Sequence, residues 1–267
     1  MSFRHELGVF GTTGAGRARY KLVMTSIPHA MTDTRPPENA AAKPVENKRL
    51  RYFELCLVLL VAISTSLVTS VYILVHGPSE ARPVSSFRSV NGFVHEIVAL
   101  LLLGYVLART GRRVRDLGLR WSVRDCGVGL LVTVVSWVAY IAGAVLLRTI
   151  HYALAGPMSK GISTQSYWAH VGWGMVPLVL VGPVFEELIV SAYLMTEILE
   201  LTGSSALAIV TSVLVQTSYH LYYGWYGAAC LAFPFLVFAL YYARYRRALP
   251  VIVAHEVWDL ISLIRIW

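Results

Sequence analysis

The chain has 267 residues, 56 % of them hydrophobic and only 14 % charged, with a mean hydropathy of +0.60. Ordinary globular domains carry about 25 % charged residues. This balance excludes a disordered chain, a fibrous protein and a disulfide-rich secreted module, and it predicts several membrane spans. The formal charge of +8 reads as a topology signal and not as a nucleic-acid surface, because basic residues in polytopic membrane proteins mostly fix orientation.

Residues 1–51 hold Arg35-Pro36-Pro37, a run of alanines, Pro44 and nine Lys or Arg, with no stretch of 18 apolar residues. They read as a disordered, cytoplasmic N-terminal tail. Its start carries no apolar stretch of the signal-peptide kind, and Met24 and Met31 offer alternative starts. Residues 52–267 read as one transmembrane helical domain. Crossing a bilayer takes about 20 helical residues. Apolar runs of that order lie at roughly 53–75, 91–108, 126–147, 171–199, 204–222, 227–243 and 249–266. The expected fold is therefore all-α, a polytopic transmembrane helix bundle of about seven spans. The mixed stretch 149–170, with Lys160 and Gln165, reads as an interfacial segment. Cys56, Cys126 and Cys230 each sit in an apolar segment without CxxC spacing, so they are expected to be buried thiols acting as small hydrophobes.

Charge gives the expected orientation. With the tail inside, alternation places 1–51, 109–125, 200–203 and 244–248 on one side, and these segments hold 18 of the 23 Lys and Arg. That bias puts the N-terminus in the cytoplasm and, with an odd number of spans, the C-terminus outside.

Ionisable residues inside spans are costly and mark functional sites by default. The deep ones are Glu186 and Glu187 in the fourth span, His220 in the fifth, and His255 and Asp259 in the seventh. His95 and Glu96 lie about one turn inside the second span and are expected to snorkel to the interface. Neighbouring helix residues point about 100° apart, so Glu186 and Glu187 serve different partners: one faces a reaction centre and the other holds a neighbour. A hairpin turning at Gly203 would place Glu186 and His220 17 residues to either side, both about 25 Å from the turn. At matched depth the two side chains can share one water. His255 and Asp259 are four apart and lie on one helical face, where they can orient a carbonyl or hold a ligand. His255-Glu256 begins like the zinc-protease motif HExxH but lacks the second His. By count from Pro250, His255 is much shallower than His220, so either the helices tilt or the 244–248 loop dips inward.

These residues resemble the CPBP intramembrane proteases, also called the Abi or type II CAAX prenyl endopeptidase family, whose members share EExxxR, FxxxH and HxxxN/D motifs on separate helices. Here Glu186-Glu187-Leu188-Ile189-Val190-Ser191, Gln216-Thr217-Ser218-Tyr219-His220 and His255-Glu256-Val257-Trp258-Asp259 stand in those places, and Asp116-Leu117-Gly118-Leu119-Arg120 looks like the family's lead-in. The resemblance covers about 115–266. Ser191 replaces the arginine and Gln216 the phenylalanine, which leaves Glu187 without its expected partner.

The resemblance implies an intramembrane endopeptidase in which Glu186, helped by His220, activates water, while His255 and a protonated Asp259 stabilise the oxyanion. It leaves the cofactor open: Zn²⁺ on Glu186, His220 and His255, or none. The implied partners are a membrane-anchored peptide or protein substrate and the lipid bilayer, with no nucleic acid, and the implied location is a bacterial inner membrane. Two alternatives stand beside it. One is a catalytically inactive relative serving as a membrane partner or immunity factor, suggested by Ser191 and Gln216. The other is a small proton-coupled transporter relaying through Glu186 and Glu187, which would not require histidines on two further spans.

Overall fold

The structure, a computed structural model, describes residues 47–77, 85–156 and 175–266, with side chains through residue 263. The tail before residue 47 and residues 157–170 of the expected interfacial segment lie outside the described residues. All regular structure among the described residues is helical. The helices are α1 (Lys48–His76), α2 (Ser86–Arg109), α3 (Val123–Ala155), α4 (Met175–Thr202), α5 (Ser205–Ser218), α6 (Gly224–Tyr245) and α7 (Leu249–Ile266), with short 3-10 turns at Val114–Leu117 and Leu221–Tyr223. Their starts follow from capping chemistry. Asn47, Ser85 and Ser204 each accept a backbone N–H of the first turn with the side-chain oxygen.

Each of the seven apolar runs forms a helix, but the spans divide unevenly. α1, α2, α3, α4 and the stretch Leu221–Tyr245 are long and apolar enough to cross a bilayer. α5 has 14 residues, about 21 Å of helix, and α7 carries Glu256, Asp259 and Arg265. One sequence expectation needs correction here. The helix expected over 204–222 stops at Ser218, so His220 lies on a turn. The first part of the expected interfacial segment, from 149 to 155, is helical and forms the end of α3, which runs 33 residues without a break.

α4 is the central element. In its most apolar window 61 % of residues are buried, against 22 % in each of α1, α2 and α3. The outer faces of those three expose Leu60, Val68, Leu101, Tyr105, Val134 and Val138. Apolar surface on this scale marks contact with something other than water, and on helices of this length the partner is lipid. The chain is an integral membrane protein. Cys56 is exposed on α1, Cys126 is partly buried and only Cys230 is buried. The expectation of three buried thiols thus fails for Cys56, whose position in the apolar run faces outward.

Ion pairs gather the segments that alternation assigns to one side. Arg51 at the start of α1 reaches Glu197 at 2.6 Å and Glu200 at 2.5 Å near the end of α4, and Arg112 after α2 also pairs with Glu197. Arg247 after α6 pairs with Asp125 at the start of α3, and Arg246 donates to Thr196 at 2.7 Å. Close helix approach occurs where a side chain is missing, as expected when small residues let membrane helices pack. A Cβ on Gly129 of α3 would lie 2.7 Å from Val253 of α7, and one on Gly143 would lie 2.2 Å from the Phe233 ring of α6.

The depth problem for His255 is solved by the loop. Gly118, at φ +83°, accepts the Ala248 N–H at 3.1 Å, and a Cβ there would stand 2.1 Å from the Arg246 carbonyl oxygen. Only glycine tolerates both the left-handed backbone and this approach. Ala248 and Leu249 are buried as a result. The loop dips into the bundle where α7 begins.

Candidate active site

The regular hydrogen bonding of α4 is interrupted on both sides of its glutamates. Pro183, three residues before Glu186, has no N–H to donate and disturbs the helix ahead of it. Residues Glu187–Leu194 then form a π-helical stretch, eight residues long. Such stretches are rare and concentrate at functional sites. Glu186 is the last α-helical residue and Glu187 the first π-helical one, so the pair sits at a change of helical register.

The two carboxylates go to separate partners, as neighbouring positions on a helix require. Glu186 accepts a hydrogen bond from the Tyr219 hydroxyl at 2.7 Å. Glu187 is almost fully buried and lies 2.8 Å from His255 Nδ1. It also accepts from the Ser191 hydroxyl, and Gln216 Nε2 stands 3.5 Å from its Oε1 and 3.1 Å from Ser191 Oγ. Glu187 lacks its expected arginine but is not left unpaired. The arginine is absent, but a histidine, a serine and a glutamine occupy its carboxylate.

Gly203, at φ +73°, ends α4, and α5 returns antiparallel to it. The hairpin sets Tyr219 against Glu186 with His220 beside it, the Tyr219 and His220 rings being 4.8 Å apart. The turn carrying His220 is covered by α1, where Ser70 donates to the Tyr219 carbonyl. Irregular backbone at membrane depth persists only when protein shields it in this way. His220 Nδ1 lies 2.8 Å from the carbonyl oxygen of Gln216. A carbonyl only accepts, so Nδ1 carries the proton, and in the neutral ring Nε2 keeps its lone pair.

α7 supplies the third part. His255 Nε2 is 3.8 Å from Asp259 Oδ1, so the two share one face. Phe235 of α6 packs between the histidines, 5.1 Å from the His220 ring and 6.3 Å from that of His255. Contacts therefore run from Asp259 through His255 to Glu187, from Glu186 through Tyr219 to His220, and across Phe235 between the two histidines. The five residues expected from the sequence thus form one cluster from α4, the α5–α6 turn and α7.

Three contributors were not assigned a supporting role by the sequence. Tyr219 stands there only as a position within the second motif, and Ser191 and Gln216 read as losses. A fourth residue, Glu96, was expected to snorkel. Instead its Oε2 is buried with no hydrogen-bond partner, its Oε1 would stand 3.6 Å from a Cβ on Gly182, and it couples to Glu186 and Asp259. A carboxylate amid an apolar run was the signal that could have placed it.

Among the described residues, no three or more His, Cys, Asp or Glu are gathered as a metal-binding group. Glu186 accepts from Tyr219 with one oxygen, and the Nδ1 atoms of His220 and His255 face Gln216 and Glu187, which leaves each ring its Nε2.

Comparison with protein families agrees with this cluster. Residues 168–261 match the family model described as Type II CAAX prenyl endopeptidase Rce1-like. Over this segment the resemblance to the CPBP family holds. The match contains all five clustered residues together with Ser191, Gln216 and Tyr219. No curated protein and no solved structure matches the chain.

Proposed function

We propose that the chain is an intramembrane endopeptidase that hydrolyses a membrane-associated peptide or protein with water activated by Glu186 and His220. The observation that carries this reading is the division of the adjacent glutamates between Tyr219 beside His220 and His255 on α7. That division leaves one carboxylate to work on water and commits the other to structure.

In the proposed reaction Glu186 removes a proton from water while the free Nε2 of His220 accepts the water's second hydrogen bond. The hydroxide adds to the scissile carbonyl carbon. His255, with Nδ1 committed to Glu187, has Nε2 left; in the imidazolium form its N–H stabilises the oxyanion. Asp259, 3.8 Å away, orients that imidazolium and need not donate itself. Collapse of the tetrahedral species breaks the C–N bond, and Glu186 returns its proton to the leaving amine. No step uses a metal. The substrate class follows from the site's place inside a membrane bundle: a peptide anchored in or at the bilayer, with a prenylated C-terminus as the first candidate, since that is what the matched family's description names. The proposed setting is a bacterial plasma membrane with the N-terminus cytoplasmic, supported by the clustering of basic segments at one end.

The test is cleavage of membrane-anchored peptides, with and without a prenylated cysteine, by the chain reconstituted in liposomes and read by mass spectrometry. Glu186→Gln keeps the shape and the hydrogen bond from Tyr219 but takes no proton from water, so cleavage should be lost at near wild-type thermal stability. Cleavage by Glu186→Gln at the wild-type rate would overturn the mechanism. Absence of cleavage by the wild type would favour the inactive-partner alternative.

A further inference from the structure

We infer that Ser191 and Gln216, which stand where the resembled family has arginine and phenylalanine, act as one coupled pair of positioning residues that holds Glu187 and, through it, His255. This inference rests on the peptidase reading of the site.

The geometry runs in one direction. Gln216 Nε2 donates to Ser191 Oγ at 3.1 Å, which leaves the single hydroxyl proton of Ser191 for Glu187. The second amide N–H of Gln216 points to Glu187 Oε1, the same oxygen that faces His255 Nδ1. Ser191, Gln216 and Glu187 are each 1 % exposed, so no water competes for these bonds. Turning the amide over would set an oxygen against the carboxylate and the serine oxygen. The nitrogen faces them instead, although this leaves Gln216 Oε1 buried without a partner. An orphaned buried acceptor is costly, so the amide orientation is fixed by Glu187. Gln216 reaches the carboxylate itself only at 3.5 Å, so its hold on Glu187 runs mainly through Ser191, whose oxygen it fixes at 3.1 Å.

Gln216 has a second role. Its backbone oxygen accepts Nδ1–H of His220, while its side chain supports the carboxylate on His255. One residue thereby sets both histidines, with the i, i+4 spacing of the turn before His220 supplying the first link and the amide the second.

The experiment uses the full chain in detergent, with ¹⁵N-labelled histidine and the His255 ring resonances identified by their loss in His255→Gln. Variants are Ser191→Ala, Gln216→Met, the double variant, and Ser191→Thr, which keeps the hydroxyl. Each single variant should move the His255 Nδ1 resonance and lower kcat by about tenfold at unchanged KM, with the double variant little worse than either single one. Ser191→Thr should retain both the resonance and the rate. The inference is overturned if the His255 resonance stays in place in both single variants, or if their effects multiply in the double one. Were the wild type to cleave nothing, the peptidase reading would fall, while the His255 resonance would still decide whether the pair acts as a unit.

Discussion

The depth of His255 depends on a single glycine, which makes Gly118→Ala the sharpest structural perturbation available. Gly118 adopts φ +83°, where a Cβ-bearing residue costs about 1–2 kcal/mol. Its added methyl would stand 2.1 Å from the Arg246 carbonyl oxygen, so the 246–248 loop must withdraw. Withdrawal stretches the Ala248 N–H bond to Gly118, worth about 1 kcal/mol, and loosens buried Leu249. A total near 3 kcal/mol is expected, a fall of roughly 6–12 °C in melting temperature for a chain of this size. Gly111 is the matched control. It also has positive φ, +69°, but nothing lies within 4 Å of its Cβ position, so Gly111→Ala should cost only the backbone strain, about 1 kcal/mol. Because α7 begins at this loop, Gly118→Ala should also move His255 relative to Glu187. A displacement of about 1 Å at a reacting centre can cost about 10²-fold in rate, so its cleavage should fall well below that of Gly111→Ala at temperatures where both are folded. The assay is thermal unfolding in one detergent together with initial cleavage rates. Equal melting temperatures and equal rates for the two variants would refute the idea that the loop sets the depth of α7.

Other outcomes follow from single contacts. Glu197 is buried and pairs with both Arg51 and Arg112, so Glu197→Ala should lower stability by about 3–5 kcal/mol, whereas exposed Glu200→Ala should change it by about 0–1 kcal/mol; melting curves compare the two. An excess of EDTA or 1,10-phenanthroline should leave cleavage unchanged, and inhibition reversed by added Zn²⁺ would show that a metal takes part. Deletion of residues 1–45 should leave the melting temperature unchanged, since that segment has no apolar periodicity with which to dock; a large fall would make the tail part of the core.

What was legible in the sequence was whatever carried charge into an apolar run. Glu186, Glu187, His220, His255 and Asp259 stood out because lipid tolerates none of them unpaired, and the spacing about Gly203 placed two of them at one depth before any contact was known. The helices were legible for the same reason, since runs of this length and apolarity have few other conformations open to them in a bilayer. The end of α5 was harder to read. Nothing in the composition of 204–222 separates a helix from a shielded turn, and part of the shielding comes from Ser70, on a helix distant in sequence. The π-helical stretch was equally hidden, because Glu187–Leu194 holds no glycine or proline to mark a change of helix type.

Ser191 and Gln216 show why a motif departure should not be scored by itself. Read one at a time, serine removes the positive charge from Glu187 and glutamine puts a polar amide where an apolar ring is expected, so both count against activity. In three dimensions they are 3.1 Å apart and serve the same carboxylate. A charged partner for Glu187 has been exchanged for two neutral donors, and the only cation-forming side chain bonded to it among the described residues is His255. The exchange alters what the site asks of His255. With an arginine present, a histidine at this position would share Glu187 with a permanent cation. Here, among the described residues, the carboxylate is held by His255 and by the two neutral donors behind it, so the placement of His255 depends on Ser191 and Gln216 and not on a second cation.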